Sequence, residues 1–317
     1  MENIKIACSC DNNYVPHCGA LIASIFANNK ENNVEVNVLT DGIDEDNINK
    51  LLALARDFNQ VVIVRKVEPT VFSAFLNLES KIKLPIQTYF RLIIPTMFKD
   101  YDKILYLDVD MIVCSSLAEV WNLDLNNKVI AGVPDTARNI TPGCKRLEYP
   151  QSDSYFNAGF GLYNLRAMRK SNLLDKAKYI AEKYPEKLLY HDQDLLNLIY
   201  HGQFLEISLK WNFMQPFFMQ KPSVVDRQKS EVEKYINHPY IIHFTASLKP
   251  WFIECDHPYR SVYWSYLKMT PWKDRKPVHI YRNVNTFIKY LRYRLLELKF
   301  YLKRDKSRIL RKDISFS

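Results

Sequence analysis

The sequence predicts an α/β protein built on a mostly parallel, doubly wound sheet. Its 317 residues are enough for one large α/β domain or two smaller ones. The composition is that of a globular protein, with 47% hydrophobic and 25% charged residues. Strand-like runs alternate with helical patterns through the first half, an arrangement that is typical of parallel sheets. Because ligands of such sheets bind at the carboxyl ends of the strands, polar residues there are candidate site residues.

The elements of the first half follow from apolar periodicity. Short runs rich in Val and Ile predict strands, and apolar residues at helical spacing predict the helices between them. Asp44, with Asn47 three residues later, predicts a helix start, and Pro95 predicts a kink or an end. The predicted strands are 4–9, 34–40, 61–67, 103–113 and 129–133, and the predicted helices lie near 16–29, 44–57 and 87–97.

The second half is less regular. Residues 156–165 and 240–244 are predicted strands, and residues 171–183 and 192–201 are predicted helices. Neither an internal repeat nor a low-complexity linker interrupts this part of the sequence. Residues 1–272 are therefore predicted to form one domain.

The positive charge belongs to the end of the chain. Residues 273–317 hold 14 Lys and Arg against 4 Asp and Glu, which is a net charge of +10. The net charge of the whole chain is +9. The preceding 272 residues hold 30 basic and 31 acidic residues, a net charge of −1. A nearly neutral body gives no electrostatic footprint for nucleic acid, so we expect no nucleic-acid partner.

The same C-terminal segment has the pattern of an amphipathic helix. Its apolar residues recur at helical spacing, while basic side chains gather on the other side and aromatic residues lie between them. This pattern favours a helix lying on an anionic membrane surface. The alternative is a helix packed on the body with a solvated basic face. The apolar positions are 284, 287, 291, 295, 298 and 302, and the basic ones include Lys289, Arg292, Lys299 and Lys303.

The cysteines and the N-terminus predict a cytoplasmic location. The six cysteines show no CxxC pair and no zinc-ligand spacing, and a chain of this size has no need of a disulfide framework. The segment MENIKIACSC lacks the basic and apolar regions of a signal peptide. No run approaches the roughly 18 apolar residues of a transmembrane helix. With the basic C-terminal segment, these observations predict peripheral attachment at the inner face of the membrane.

Two acids interrupt the most apolar run of the chain, ILYLDVDMIV at 104–113. In a strand, Asp108 and Asp110 would point to the same face, where two carboxylates can bind one hard divalent cation. Buried carboxylates without a counter-ion are costly. Two interpretations remain open from these residues alone: a metal site, or strand-end acids bonded to Arg or backbone N–H groups.

Several motifs in a fixed order make the chain similar to a known family. They are CDNNY (10–14), TYFRL (88–92), YLDVDMIV (106–113), FNAG (156–159), HDQD (191–194) and HFTASLKPW (243–251). From residue 4 to about 260 the chain resembles the retaining nucleotide-sugar glycosyltransferases of family 8, which include bacterial lipopolysaccharide galactosyl- and glucosyltransferases and the glycogenins. The resemblance implies a GT-A-type fold with a mostly parallel mixed sheet.

The resemblance assigns roles to residues around the diphosphate of a UDP-sugar. It implies that Asp108, Asp110 and His243 bind a divalent metal, for which two carboxylates and one imidazole favour Mn²⁺, with Mg²⁺ as the alternative. Lys249 would neutralise the diphosphate. The family commonly has Gly where this chain has Ala246, which puts that backbone contact to phosphate in doubt.

It also implies contacts to the nucleoside and to the donor sugar. Gln193 would lie under the anomeric carbon, with Asp192 beside it, as the catalytic pair. Asp194 remains a candidate helix cap. The expected nucleotide contacts are Asp11, Asn13 and Tyr14, and the expected contacts to the donor are Arg91, Asp108, Val109, Asp135, Asn157 and Ala158.

The activity that follows is transfer of a hexose, with retention, from UDP-galactose or UDP-glucose. The expected acceptor is a saccharide, lipid-linked, in lipopolysaccharide or another surface glycan. One rival is an oxidoreductase, but ACSCDNNY after the first strand contains none of the glycines of GxGxxG. The other rival is a membrane-associated sugar-nucleotide-binding protein without catalysis, which predicts missing site residues.

Overall fold

The computed structural model describes most of the chain. The described residues are 1–76, 78, 84–135, 140–150, 153–218 and 226–280, with Ile288, Leu291 and Leu295.

The strands of the described chain fall in two sheets. They are β1 (Asn3–Ser9), β2 (Asn33–Thr40), β3 (Val61–Lys66), β4 (Lys103–Leu107), β5 (Met111–Val113), β6 (Ile130–Gly132), β7 (Phe160–Asn164), β8 (Phe204–Glu206), β9 (Phe213–Met214) and β10 (Ile241–His243).

The α-helices are mostly short after the first two. They are α1 (Val15–Ala27), α2 (Glu45–Asp57), α3 (Ser73–Leu76), α4 (Ile94–Met97), α5 (Ala118–Trp121), α6 (Ile140–Leu147), α7 (Leu165–Arg169), α8 (Leu173–Lys183), α9 (His191–Tyr200), α10 (Asp226–Tyr235) and α11 (Arg260–Leu267). 3₁₀ segments cover Pro69–Phe72, Ile86–Ile93, Pro185–Lys187, Leu209–Trp211 and Gln215–Phe218.

The larger sheet is mixed and mostly parallel, as predicted. Among the described strands its order is β3-β2-β1-β4-β7-β6-β8, and the smaller sheet has the order β5-β10-β9. β1, β2, β3 and β4 run parallel, whereas β7 runs antiparallel to both of its neighbours. The reversal of β7 places its first residues beside the carboxyl end of β4, since Phe160 pairs with Leu107.

Apolar side chains cover both faces of the larger sheet. Along β1, Ile4, Ile6 and Cys8 belong to one buried cluster with α1, and Ala7 belongs to another. This alternation is the period of a strand whose two faces are both packed. The packed core therefore holds the strand ends rigidly and fixes the positions of the polar residues that follow them.

Most predicted elements are confirmed. Asp44 caps α2 as expected, because its side chain accepts a hydrogen bond from the Asn47 backbone N–H. The helix predicted at 87–97 was wrong in type, since Ile86–Ile93 is a 3₁₀ segment and only Ile94–Met97 is α-helical. Pro95 lies in the first turn of that helix, where a missing N–H costs nothing.

The single strand predicted at 103–113 was also wrong. The chain forms β4, turns at Asp108–Asp110 and enters β5 in the other sheet. The apolar run is continuous because both short strands are buried, so hydrophobicity alone could not show the break.

Residues after 272 return to the body before the predicted C-terminal helix. Val278 exchanges backbone hydrogen bonds with Ile253 (2.9 Å) and Trp251 (3.0 Å). Most of the predicted helix, 284–302, lies outside the described residues. Within it, Ile288, Leu291 and Leu295 have helical backbone and exposed side chains. In the described part of the chain, no helix combines the length and the apolar character that crossing a membrane requires.

Trp272 anchors the end of the body and gives a stability test. Its ring packs over Gly19 of α1, where a Cβ would lie 2.5 Å from the ring atom Cζ3. Its indole N–H donates to Asn47 at 3.1 Å. Trp272→Ala should lower the free energy of unfolding by about 3–5 kcal/mol in urea titrations, because a large buried ring is lost. Tyr179→Ala, at a side chain that is 56% exposed, is the control and should change it by about 0.5 kcal/mol or less. An equal effect of both substitutions would contradict the packing role of Trp272.

Candidate active site

One large cavity opens at the carboxyl ends of β1 and β4. Its volume is about 790 Å³, which is within the usual range of small-molecule sites. Most of the residues that the sequence singled out line it together. They are Asp11, Tyr14, Arg91, Asp108, Val109, Asp110, Asp135, Asn157, Ala158, Asp192, Gln193, Ala246 and Lys249.

Two predicted site residues do not line the cavity wall. Asn13 has an exposed side chain in the turn after β1. His243 is only 3% exposed and lies beneath the wall, against Asp110. Its position suits a residue that acts on the cavity through a shared ion rather than through direct ligand contact.

The turn after β4 directs two carboxylates into the cavity. The Asp108 backbone N–H donates to Gly159 at 2.8 Å, which continues the β4–β7 ladder by one residue. The Met111 N–H then donates to the Asp108 carbonyl at 3.2 Å and closes the turn. Because the chain reverses here instead of continuing as a strand, Asp108 and Asp110 converge on the space beside β7.

His243 reaches this turn through strand pairing. β10 runs antiparallel to β5 with His243 opposite Met111, and the Phe244 N–H donates to the Asp110 carbonyl at 3.0 Å. His243 Nε2 lies 3.2 Å from Asp110 Oδ1. One donor atom each of Asp108, Asp110 and His243 lies within 4.8 Å of the other two, which is the spacing of a metal-binding cluster.

The ammonium of Lys249 supplies positive charge at this cluster. Its Nζ lies 2.6 Å from Asp110 Oδ2 and donates to the Phe244 carbonyl at 2.7 Å. Burial by itself would raise the pKa of Asp110, but Lys249 and His243 outweigh it and hold that pKa well below its usual range. The carboxylate is therefore ionised, with the ammonium of Lys249 as its counter-charge in this structure. Two carboxylate oxygens and one imidazole nitrogen are donors that fit a divalent ion such as Mn²⁺.

Arg91 joins the cluster of Asp108, Asp110 and His243 to Asp192 at the start of α9. Its guanidinium pairs with Asp108 at 2.8 Å and with Asp192 at 3.0 Å, while it lies over the ring of Tyr106. It also donates to the Ala158 carbonyl. The predicted ion pair to a DxD acid is thus present. Burial raises the pKa of Asp192 to about 7, against the opposing effect of Arg91.

The backbone is strained at the start of α9. His191 has a φ of 50°, the left-handed region that non-glycine residues seldom adopt. Its Nδ1 lies 2.7 Å from the hydroxyl of Tyr89, a contact that ties the start of α9 to the 3₁₀ segment carrying Arg91. Strain of this kind persists where surrounding contacts over-determine it, and here it turns Asp192 and Gln193 toward the cavity.

Hydrogen bonds occupy both ends of the Gln193 amide. Its Oε1 accepts from the Ala158 N–H and from Asn157 Nδ2, both at 3.1 Å. Its Nε2 donates to Asp135 at 2.9 Å and to the Tyr155 hydroxyl at 3.0 Å. Since a backbone N–H only donates and a carboxylate only accepts, these partners determine which end of the amide is oxygen.

Sequence reasoning missed three residues of the site. Tyr155 donates to Asp194 at 2.7 Å and so links Gln193 to a buried ion pair of Asp194 with Arg146. Gly159 belongs to the FNAG motif, but its need for a missing Cβ appears only beside His243 and Asp108. Asn212 lies in no motif that the sequence analysis singled out, and nothing short of the fold could have found it. Asp194 lies within α9, whose N-cap is Tyr190, and its side chain accepts from the Tyr190 N–H at 2.6 Å.

Tyr14 lines the cavity and packs against two further aromatic rings. Tyr14 is 38% exposed and meets Trp251 edge-on, with ring centroids 5.6 Å apart. The imidazole of His17 stacks on the same Trp251 at 3.6 Å. Asp11, on the same turn as Tyr14, accepts from the Tyr14 N–H at 2.9 Å. The partly exposed ring of Tyr14 and the carboxylate of Asp11 are groups that can contact a base and a ribose.

Comparison with known proteins agrees with this geometry. General stress protein A of Bacillus subtilis is 29% identical over 86% of this chain and 95% of its own length. A lipopolysaccharide 1,2-glucosyltransferase of Escherichia coli is 27% identical over 86% of this chain and 80% of its own length. Among solved structures, the galactosyltransferase LgtC in complex with donor and acceptor sugar analogues superposes with a TM-score of 0.75 at 25% identity, over 86% of this chain and 96% of that one.

The fold is thus similar to the GT-A fold of LgtC. The family model for glycosyl transferase family 8 matches residues 5–255, which is most of the chain and includes all of the cavity motifs. This chain belongs to glycosyl transferase family 8 and is a glycosyltransferase.

Proposed function

We propose that this protein transfers a hexose from a UDP-sugar to a saccharide acceptor, with retention of the anomeric configuration and dependence on Mn²⁺. One observation carries the proposal. The cluster of Asp108, Asp110 and His243 shares a cavity with an orientation-locked Gln193 and with Arg91, in a chain of glycosyl transferase family 8. The cluster suits a diphosphate-bound cation, and the locked amide suits the sugar beside it.

The cluster and Lys249 would stabilise the UDP leaving group. When bound by Asp108, Asp110 and His243, a divalent ion supplies Lewis-acid stabilisation of the charge on departing UDP. Lys249 reaches Asp110 on a long flexible side chain, and we expect its ammonium to turn to the diphosphate when the cation arrives. The same residue then serves the site with and without ligand, because both arrangements pair its charge.

Arg91 and Asp192 would contact the donor sugar. Their ion pair lies at the cavity wall, with Arg91 also held by Asp108. A buried carboxylate whose pKa is near 7 can accept a hydrogen bond from a sugar hydroxyl once ionised. These two residues would orient the ring so that its anomeric carbon faces the acceptor, which supplies part of the rate by proximity.

Retention is assigned to attack from the face of the departing UDP. The alternative is a covalent glycosyl-enzyme, for which Gln193 is the residue in place. An amide is a weak nucleophile, and the Gln193 oxygen already accepts two hydrogen bonds. In front-face attack the leaving phosphate accepts the proton of the acceptor hydroxyl, and Gln193 serves as a fixed polar surface under the sugar.

The donor is proposed to be UDP-galactose or UDP-glucose. Support comes from the names of similar proteins, one of which is a glucosyltransferase and another a galactosyltransferase. The acceptor is proposed to be a lipid-linked saccharide. The lipopolysaccharide acceptor in the name of the Escherichia coli relative and the basic C-terminal segment support that choice.

The C-terminal segment is proposed to lie on an anionic membrane. Ile288, Leu291 and Leu295 are 41%, 43% and 56% exposed, and their spacing puts them on one side of a helix. An exposed apolar stripe among basic residues is the pattern of an interfacial helix. Such a helix would hold the cavity near a lipid-linked acceptor.

The proposed activity is tested by hydrolysis of a panel of UDP-sugars without acceptor. We expect Mn²⁺-dependent release of UDP from UDP-galactose or UDP-glucose. Asp110→Asn should lower this rate by about 100-fold or more, because a carboxylate that would hold the divalent ion is lost. Asp102→Asn, at a surface ion pair with Arg166, is the matched control and should retain activity. UDP binding without turnover of any UDP-sugar would favour a sugar-nucleotide-binding protein instead.

Gly159→Ala tests the close packing of the cluster. A Cβ there would lie 2.7 Å from Asp108 Oδ2 and would also press on the His243 ring. The substitution should lower both Mn²⁺ affinity, measured by calorimetry, and UDP-sugar hydrolysis by about tenfold or more. Gly42→Ala is the control, since a Cβ at Gly42 would meet nothing within 4 Å. Wild-type Mn²⁺ affinity in Gly159→Ala would mean that the cluster does not hold the ion.

Gln193→Glu tests the mechanism of retention. The new carboxylate would face the Ala158 N–H and Asn157, and it would also face Asp135, which it would repel. We expect slower turnover and no glycosyl-enzyme that forms and breaks down at the wild-type rate. Intact-mass spectrometry of the quenched reaction is the measurement. A covalent adduct that turns over at the wild-type rate would support the double-displacement route.

Truncation after Ile280 tests the membrane proposal. The cut leaves the backbone bonds of Val278 to the body in place. Cosedimentation with phosphatidylglycerol vesicles should fall, while UDP-sugar hydrolysis should stay within about twofold. In the full chain, 1 M salt should release most of the bound protein, because it shortens the Debye length to about 3 Å. Equal cosedimentation of the full and truncated chains would overturn the role of the segment.

A further inference from the structure

Asn212 is a fully buried amide between the two halves of the cavity. It is 0% exposed and immediately precedes β9, the strand that pairs in parallel with β10 and places Met214 opposite His243. Its Oδ1 lies 2.8 Å from His243 Nδ1, and its Nδ2 donates to Asn157 Oδ1 at 2.9 Å. One side chain thus contacts both a residue of the metal cluster and a residue of the sugar side.

The orientation of this amide follows from partners whose roles cannot reverse. The Gly159 backbone N–H donates to Asn157 Oδ1 at 3.1 Å, so that atom is an acceptor. Asn157 Nδ2 faces the Gln193 oxygen, which consistently leaves Oδ1 on the Asn212 side. Asn212 must therefore present its NH₂ to Asn157 and its carbonyl oxygen to His243.

A carbonyl oxygen facing Nδ1 determines how His243 is used. Nδ1 carries the proton that it donates to Asn212, so Nε2 is the ring nitrogen that is available to a metal. Nε2 is also the atom that lies 3.2 Å from Asp110 Oδ1, on the cluster side of the ring. Second partners of this kind orient a histidine ligand and raise its basicity.

The hydrogen bonds continue from Asn157 to Gln193. They form an unbroken path from His243 through Asn212 and Asn157 to the amide under the sugar site, with each step between 2.8 and 3.1 Å. The path has one donor and one acceptor at each junction. Loss of the central amide would remove the acceptor that faces His243 Nδ1 and one of the two donors to Asn157 Oδ1.

We propose that Asn212 is a positioning residue that holds His243 with Nε2 toward the metal and holds Asn157 toward Gln193. The inference rests on the proposed function, since it assumes a divalent ion at Asp108, Asp110 and His243. It assigns two separable roles to one side chain. The acceptor end serves metal binding, and the donor end serves the sugar side.

The two roles predict different effects of Asn212→Asp and Asn212→Leu on Mn²⁺ affinity. Asn212→Asp keeps an acceptor for His243 but replaces the NH₂ with an oxygen that faces Asn157 Oδ1. Asn212→Leu keeps the branched shape of the side chain, with a somewhat larger volume, and removes both hydrogen bonds. If Asn212 serves only to fill space, the order reverses, because a buried Leu is tolerated and a buried carboxylate is costly.

The experiment measures Mn²⁺ affinity by isothermal calorimetry on the full chain without nucleotide, followed by UDP-sugar hydrolysis at saturating Mn²⁺. We expect Asn212→Asp to bind Mn²⁺ at least as tightly as the wild-type protein, and Asn212→Leu to bind it about 10- to 100-fold more weakly. At saturating Mn²⁺, Asn212→Asp should still show a reduced kcat with little change in KM for the UDP-sugar, because the bond to Asn157 is lost.

Asn29→Leu is the control for the general cost of removing a buried asparagine. Asn29 is 1% exposed and makes two hydrogen bonds, to the Ile25 carbonyl and from the Leu117 N–H, away from the cavity. It should lower the thermal midpoint without changing Mn²⁺ affinity. All variants are compared below their thermal midpoints, so that weaker binding is not a consequence of unfolding.

Each outcome decides the inference. Weaker Mn²⁺ binding by Asn212→Asp than by Asn212→Leu, or equal binding by both variants and the wild-type protein, would overturn it while leaving the proposed function intact. Failure of the wild-type protein to bind Mn²⁺ would contradict the proposed cofactor and this inference together. The wild-type measurement therefore separates the two failures.

Discussion

Three carboxylates lie at the largely buried wall of the cavity, where their negative charge needs a counter-charge. Asp108, Asp110 and Asp192 are 28%, 15% and 5% exposed at their side chains, so water offsets little of the cost of ionisation. Arg91 pairs with Asp108 and Asp192, and Lys249 pairs with Asp110. Asp108 and Asp110, with His243, lie within metal-binding distance of one another at the turn after β4. Carboxylate and imidazole donors in this arrangement fit a divalent ion.

The remaining architecture serves to bring these charges together. The antiparallel course of β7 places Ala158 and Gly159 beside the carboxyl end of β4, where a parallel strand would have placed its last residues instead. The pairing of β10 with β5 brings His243 to Asp110 across more than a hundred residues of sequence. The absence of a Cβ at Gly159 lets His243 and Asp108 approach the backbone. Each contact depends on a pairing between strands that are distant in the chain.

Hydrogen bonds also fix the orientation of three side-chain amides in and beside the cavity. Gln193, Asn157 and Asn212 are oriented by backbone N–H groups and carboxylates, whose donor and acceptor roles are fixed. A buried polar network of this kind is stable only when every member is satisfied, and it then holds one geometry. The strained backbone of His191 is compatible with that rigidity, because α9 and its contacts hold it in place. The cavity is therefore preorganised around Gln193, while the ammonium of Lys249 lies at the end of the cavity that holds Asp110.

The sequence by itself determined the fold class, most of the elements and most of the charged residues that line the cavity. Periodicity predicted β1, β2 and α2 closely, since burial on both faces or on one face leaves a regular apolar pattern. The motifs identified Asp108, Asp110 and His243 before any geometry, because their residue types and order are specific to the family. The break after β4 was not predictable, because two buried strands on either side of a turn look like one apolar run. Only the tertiary structure decided that Lys249 pairs with Asp110, that Gly159 must lack a Cβ and that Asn212 joins the two halves of the cavity. Those contacts join residues far apart in the chain, and no local pattern encodes which distant partner a buried polar group will meet.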